Sequence, residues 1–244
     1  MKKASIAWLS IAGALCIAGL ILIGITFYLI NGDIHKLNSI PHITNQHEIT
    51  DEFYNITLDI STANIRILPS QNSTCTVVCH EKENLTHNVV IKDSTLLIIE
   101  NDRSSWTDYI EGINFDDTYI TIYLPESWYK DILISTSTGD IKISDFAFDN
   151  LNIEVSTGDV TLENVIVHEG LSINGDTSDV TFTSCDANRI DINLSTGDVN
   201  GTLLSPKIFQ VTTSTGKVNV PENSSDNICK IRTSTGDIMI QIQE

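Results

Sequence analysis

From residue 130 to the C-terminus, apolar and polar side chains alternate in short runs, and the runs are punctuated by one recurring small-residue turn. Leu151-Asn-Ile153-Glu-Val155 leads into Ser156-Thr-Gly-Asp-Val160, which continues as Val160-Thr-Leu162-Glu163. Alternation with period two marks strands with one buried face and argues against helix. The turn recurs as Ser137-Thr-Gly-Asp-Ile141, Ser195-Thr-Gly-Asp-Val199, Ser214-Thr-Gly-Lys-Val218 and Ser234-Thr-Gly-Asp-Ile238, with a degenerate copy at Asp176-Thr-Ser-Asp-Val180. Its glycine-equivalent positions are 139, 158, 178, 197, 216 and 236, a period of 19 or 20 residues that points to stacked coils. Glycine permits the positive φ of a tight corner, and Ser and Asp side chains bond nearby backbone groups.

Aligned on the turn, the units form columns. Ile141, Val160, Val180, Val199, Val218 and Ile238 make one; Leu151, Leu171, Ile190, Phe209 and Cys229 a second; Ile153, Ile173, Ile192, Val211 and Ile231 a third. Their neighbours Asn152, Ser172, Asp191, Gln210 and Lys230 make a polar column. Such columns predict parallel coils about 4.8 Å apart with apolar side chains inside, wound right-handed as parallel crossovers are. The same register fits Ile56 to Ile67, with Ala63 and Asn64 replacing Gly and Asp, so the stack begins near residue 52. Leu96–Ile99 and Tyr119–Leu124 read as strands of longer, irregular coils around a non-repeating insertion at 101–117. The expected fold is all-β: a parallel, right-handed β-solenoid of 19–20-residue coils over residues 51–244. Taken in chain order, the strands at 228–233 and 238–242 form its open edge, which either Lys230, Arg232 and Glu244 guard against aggregation or a strand from a second copy or another envelope protein completes.

The N-terminal pattern is different. Ala4 to Ile30 carries no charge, and about 20 such residues cross a bilayer. Trp8 and Tyr28 are spaced to reach the two interfaces, and the apolar run continues past any cleavage-like site, so an uncleaved transmembrane helix is expected over 4–30. Lys2 and Lys3 place residues 1–3 in the cytoplasm and the remaining chain outside, as a single-pass membrane protein. Residues 31–50, with His35, His42 and His47, read as a solvated stalk.

A net charge of −18 disfavours nucleic acid, whose phosphates demand cations. Cys185 and Cys229 fall in different apolar columns two coils apart, and Cys75 and Cys79 lie about 13 Å apart along one extended strand. These separations predict four buried free thiols rather than disulfides. Asp140, Asp159, Asp179 and Asp198 stack in one column, interrupted by Lys217. Carboxylates about 5 Å apart could share calcium, but capping of each turn by its own Asp is the favoured reading, and no cofactor is expected. No nucleophile, His and acid constellation is visible in the outward columns, so catalysis, for instance on polysaccharide, is not expected.

The Ile120-Thr-Ile-Tyr-Leu-Pro125 strand and the iterated Ser-Thr-Gly-Asp-Ile/Val units resemble the bacterial "putative adhesin" domain family of unknown function, which includes LiaG-like membrane-anchored proteins, over roughly residues 50–244. The pattern departs from that family at Ser178 and Lys217. The resemblance implies an envelope-facing β-solenoid behind one anchor, some members being associated with envelope stress, and supplies no catalytic residues. The expected function is a non-catalytic adhesin-like or scaffolding module with a protein or glycan partner in the envelope; the alternative is a cation-binding surface.

Overall fold

The computed structural model describes residues 2–29, 31–32, 41–102, 118–222 and 227–243. The helix and the strands belong to two separate compact units. In the first, α1 runs Lys2–Leu29, and its stretch Ile11–Leu29 is long and apolar enough to cross a membrane. At 1.5 Å per residue these 19 residues span about 28 Å, close to the thickness of a hydrocarbon core. The Thr26 hydroxyl donates to the Leu22 carbonyl at 2.9 Å and so hides its own polarity.

The second unit is all β. Its strands are β1 (His42–Ile49), β2 (Asn55–Thr62), β3 (Asn64–Pro69), β4 (Cys75–Lys82), β5 (Leu85–Lys92), β6 (Thr95–Asp102), β7 (Tyr119–Leu124) and β8 (Tyr129–Thr138). They continue as β9 (Ile141–Thr157), β10 (Val160–Thr177), β11 (Val180–Thr196), β12 (Val199–Leu203), β13 (Ile208–Thr215), β14 (Val218–Asn219), β15 (Ile228–Thr235) and β16 (Ile238–Ile242). Each of β9, β10 and β11 serves two coils, its first half lying after one Gly turn and its second half before the next.

The repeat is present as parallel, in-register ladders. Ile153 pairs with Ile134 on one side and Ile173 on the other, and Ile173 pairs on with Ile192. Val160 likewise lies between Ile141 and Val180. All of these side chains are fully buried, so the period-two pattern and the coil period together place one apolar column on the next. The sequence alignment did not register the second corner of the coil. There Asp145, Asn164 and Ser184 adopt left-handed backbone with φ of 62°, 51° and 53°. Asn and Asp tolerate that region best among residues with a side chain, and Asn164 donates to Asp145 Oδ1 at 2.8 Å to tie two corners together.

Coil order departs from chain order at both ends. At the C-terminal end, β11 pairs with β15, and β15 pairs with β13; β12 pairs with β16, and β16 with β14. The last coil in sequence is therefore internal, and the coil made by β13 and β14 forms the edge. Cys229 stands between Ile190 and Phe209, not beyond Phe209. This corrects the expected edge at residues 228–242. Cys229, Ile231, Ile238 and Ile240 are buried, whereas Ile208 and Val218 are exposed at 41% and 46%. At the other end, β2 lies between β6 and β8, and β3 between β7 and β9, so the first coil is also internal.

A second correction concerns the N-terminal portion, which is not a regular solenoid. Beyond β6 and β7 the pairing turns antiparallel, through β5 on β6, β4 on β7 and β4 on β5. Hydrogen bonding then runs β9-β3-β7-β4-β5-β6-β2-β8 and returns from β8 to β9, a closed circuit of eight strands. Closure removes two sheet edges that an open stack would leave. The expected stalk is corrected too: His42–Ile49 is β1, paired antiparallel with β4 along its whole length. Its alternation is hidden because only one side is half-buried, by polar as well as apolar residues. His35 lies outside the described residues.

Candidate functional site

The Ser-Thr-Gly-Asp turn is a ladder between coils. The Asp159 amide donates to Asp140 Oδ1 at 2.9 Å, Asp179 to Asp159 at 3.1 Å, Asp198 to Asp179 at 2.7 Å, and Asp237 to Asp198 at 2.7 Å. It starts at Asn64, whose Oδ1 accepts the Asp140 amide at 2.9 Å, and ends where Asp237 accepts the Lys217 amide at 2.7 Å. Each carboxylate thus caps the following coil rather than its own turn, which corrects the sequence expectation. One oxygen of Asp140, Asp159, Asp179 and Asp198 is committed in this way, and the four acids stand one per coil without gathering into a three-ligand cluster. Lys217 occupies the position where, among the described residues, no further coil presents an amide.

The outward columns before the turn form a polar face. Ser135, Glu154, Asn174, Asn193 and Arg232 are aligned by the ladder register. Asn193 accepts from Arg232 at 2.9 Å and donates to Asn174 at 3.3 Å. A groove of about 450 Å³ crosses this face, lined by Ser135, Glu154, Asn174, Gly175, Asp176 and Asn193 among others. The degenerate coil shapes it. Where its neighbours carry Val155 and Leu194 this coil has Gly175, and a Cβ there would meet Leu194 at 2.9 Å and Ser178 at 3.1 Å. Ser178 replaces the turn glycine and turns its side chain inward against Gly175, leaving a buried hydroxyl without a hydrogen-bond partner. A second groove of about 400 Å³, lined by Asn150, Asn152, Ser172, Arg189 and Asp191, shares Asn193 with the first. Adjacent in sequence to Asn150, Asp149 accepts from the indole of Trp128 at 3.0 Å. Trp128 is 57% exposed and stacks on His168 with ring centroids 5.2 Å apart.

Sequence reasoning found the columns but not the groove, although Gly175 and Ser178, in a coil that lacks the turn glycine, were its visible signal. It also missed the group formed by Cys79, Glu81 and His87, because no ligand spacing announces it. In this cluster one potential ligand atom from each residue lies within 4.8 Å of the others, and all three residues are buried.

The four cysteines of the β unit are free and buried, as expected. Burial pushes the Cys75 and Cys229 thiols up to about 12 and raises Cys185; at Cys79 burial and then the Glu81 carboxylate do the same, also to about 12. At pH 8 a thiol of that kind is ionised to about one part in ten thousand, and the thiolate is the nucleophile. The folded, metal-free protein is therefore expected to resist alkylation at these four positions over hours and to be labelled at all four, as well as at Cys16, once unfolded without reductant. Mass spectrometry of digests of both samples checks this, and rapid labelling of any of the four in the folded chain would contradict it.

The sequence pattern of one family, described as Toastrack DUF4097, matches residues 53–244. Among curated proteins none matches. Solved structures are similar to the chain over most of its length. A "putative adhesin" from Bacteroides fragilis is 18% identical, with a TM-score of 0.50 over 82% of this chain and 97% of its own. A "putative cell adhesion protein" from Clostridium sporogenes is 14% identical, with a TM-score of 0.49 over 82% of this chain and 100% of its own. A "putative lipid binding protein" from Parabacteroides distasonis is 14% identical, with a TM-score of 0.37 over 81% of this chain and 97% of its own.

Proposed function

Since the chain belongs to the Toastrack DUF4097 family, we propose that it is a non-catalytic, membrane-anchored binding module whose right-handed stack of coils presents its polar grooves to a glycan of the cell envelope. The observation that carries this reading is the groove at the degenerate coil. Its lining offers amide, hydroxyl and carboxylate groups that match sugar hydroxyls as donors and acceptors. The adjoining groove and the exposed Trp128 ring extend it with an apolar platform suited to the face of a pyranose. The apolar helix α1 supplies the anchor, and Lys2 and Lys3 direct the N-terminus to the cytoplasm and the β unit outward. The name of the Bacteroides fragilis neighbour, a "putative adhesin", agrees with a binding role.

The test is the full-length chain in nanodiscs, applied to an array of chito-oligosaccharides, peptidoglycan fragments and mannans. Binding to one class is expected, and Asn174→Lys, which fills the groove, weakens it at least about tenfold, equivalent to 1.4 kcal/mol. Lys217→Glu, in the turn of the edge coil two coils beyond Asn193, leaves it unchanged. Equal binding by the Asn174→Lys variant, or no binding by folded protein to any member of the array, overturns the reading.

A further inference from the structure

The inward positions of β4 read Cys75, Val77, Cys79 and Glu81, so the apolar alternation of this strand ends on a carboxylate. Glu81 is 1% exposed and His87, across the β4–β5 hairpin, 7%. A buried carboxylate demands partners, and Glu81 has them. Oε1 accepts from Asn45 Nδ2 at 2.6 Å; Oε2 accepts the His87 amide at 2.7 Å and lies 2.6 Å from His87 Nδ1. The set is not closed, however. His87 Nε2 is buried without a hydrogen-bond partner, and the Cys79 thiol stands in the same cluster. A buried imidazole nitrogen with nothing to bond is costly in a mere structural network, and the same ring has a thiol and a carboxylate within 4.8 Å of one of its nitrogens.

We propose that Cys79, Glu81 and His87 form a binding site for a zinc-class divalent ion. Sulfur, imidazole nitrogen and carboxylate oxygen are the donor types zinc takes, and three protein ligands with an open fourth position make a recognised site. Two of the donors are anionic when bound, so thiolate and carboxylate together neutralise a dication in an apolar interior. Binding displaces the Cys79 thiol proton to solvent, so affinity rises with pH. Asn45, through its hydrogen bond to Glu81, positions the carboxylate from β1, as second-layer partners do in metal sites. Ion binding would thereby fasten β4 and β5, two strands of the closed circuit, together with β1, which pairs with β4 outside it. This site is independent of the glycan groove.

The experiment uses the full-length chain in detergent micelles, stripped with chelator and titrated with cobalt(II) and then zinc. One equivalent of cobalt is expected to give tetrahedral ligand-field absorption and a thiolate-to-cobalt charge-transfer band, both abolished by one equivalent of zinc. Cys79→Ser removes the charge-transfer band, His87→Gln weakens zinc binding at least about tenfold, and Cys75→Ser, on the same strand but outside the cluster, changes neither. The metal-free Cys79→Ser protein is checked for an unchanged far-UV spectrum, and an Asn45→Ala variant of intact fold reads the positioning effect separately. Absence of the bands in folded protein overturns the proposal, as does their persistence in Cys79→Ser.

Discussion

Gly197→Ala is expected to lower the stability of the β unit by about 4 kcal/mol, the sum of a strained backbone and an overpacked contact. Gly197 has φ of 145°, a conformation that a residue with a Cβ adopts only at a cost. The Cβ would also lie 1.9 Å from the Ser178 carbonyl oxygen in the adjacent coil, far inside contact distance, and that oxygen is backbone. Relief requires those two coils to part at the turn, where the Ser178 amide donates to Thr196 and the Asp198 amide to Asp179. For a domain of this size 1 kcal/mol moves Tm by roughly 2–4 °C, so a fall of roughly 8–16 °C is expected. Gly170→Ala is the contrast. Its added Cβ would meet nothing closer than the Asn150 side chain at 3.5 Å, and its φ is unexceptional, so the change should stay within about 0.5 kcal/mol. Calorimetry of the two variants beside the unmodified chain decides the matter. A Tm for Gly197→Ala within a degree or two of the parent would show that coil contact does not dictate the glycine.

These contacts explain why so much of the repeat was legible in the sequence. A parallel stack repeats one environment at each coil, so each column demands the same kind of residue: branched apolar at Val160 and Val180, glycine where coil touches coil, a short acceptor at Asp159 and Asp179. What escaped was whatever depends on which coil lies beside which. The columns align equally well whether the coil of Phe209 or that of Cys229 follows Ile190, because both are apolar and both occupy the same register. The antiparallel cap was illegible for a different reason. The half-buried residues of β1 are polar as well as apolar, and the partners that cover them come from β4, some 30 residues away in sequence. The groove follows from Gly175 and Ser178 acting together, a compensation between two positions that neither reveals alone.

Lys217 carries the clue to coil order, and it leads to the second large effect. Every internal coil supplies an acceptor, Asn64 or an Asp, to the amide of the next; the Lys217 amide donates to Asp237, and Lys217 supplies no acceptor in its turn. A Lys at that position belongs on an edge, where it also disfavours pairing with another chain. The coil of residues 228–242 must therefore be internal, and removing residues 228–244 takes away the partner of β13 as well as that of β12. Burial of Cys229, Ile231, Ile238 and Ile240 is lost. At about 1.5–3 kcal/mol for each large side chain, the loss approaches the whole stability of a typical domain, so the truncated chain is expected not to fold stably. Paired cysteines read the order without that loss. In a Cys16→Ser background, Asn193→Cys with Arg232→Cys joins neighbouring outward positions, about 4.8 Å apart at Cα and within disulfide reach. Asn193→Cys with Thr212→Cys spans two coils, roughly 9–10 Å, and should remain reduced under mild oxidation. Intact mass after oxidation distinguishes them: the first pair loses two hydrogens and the second does not. The reverse result would mean that the coils stack in chain order, and that the edge lies at Ile238–Ile242 after all.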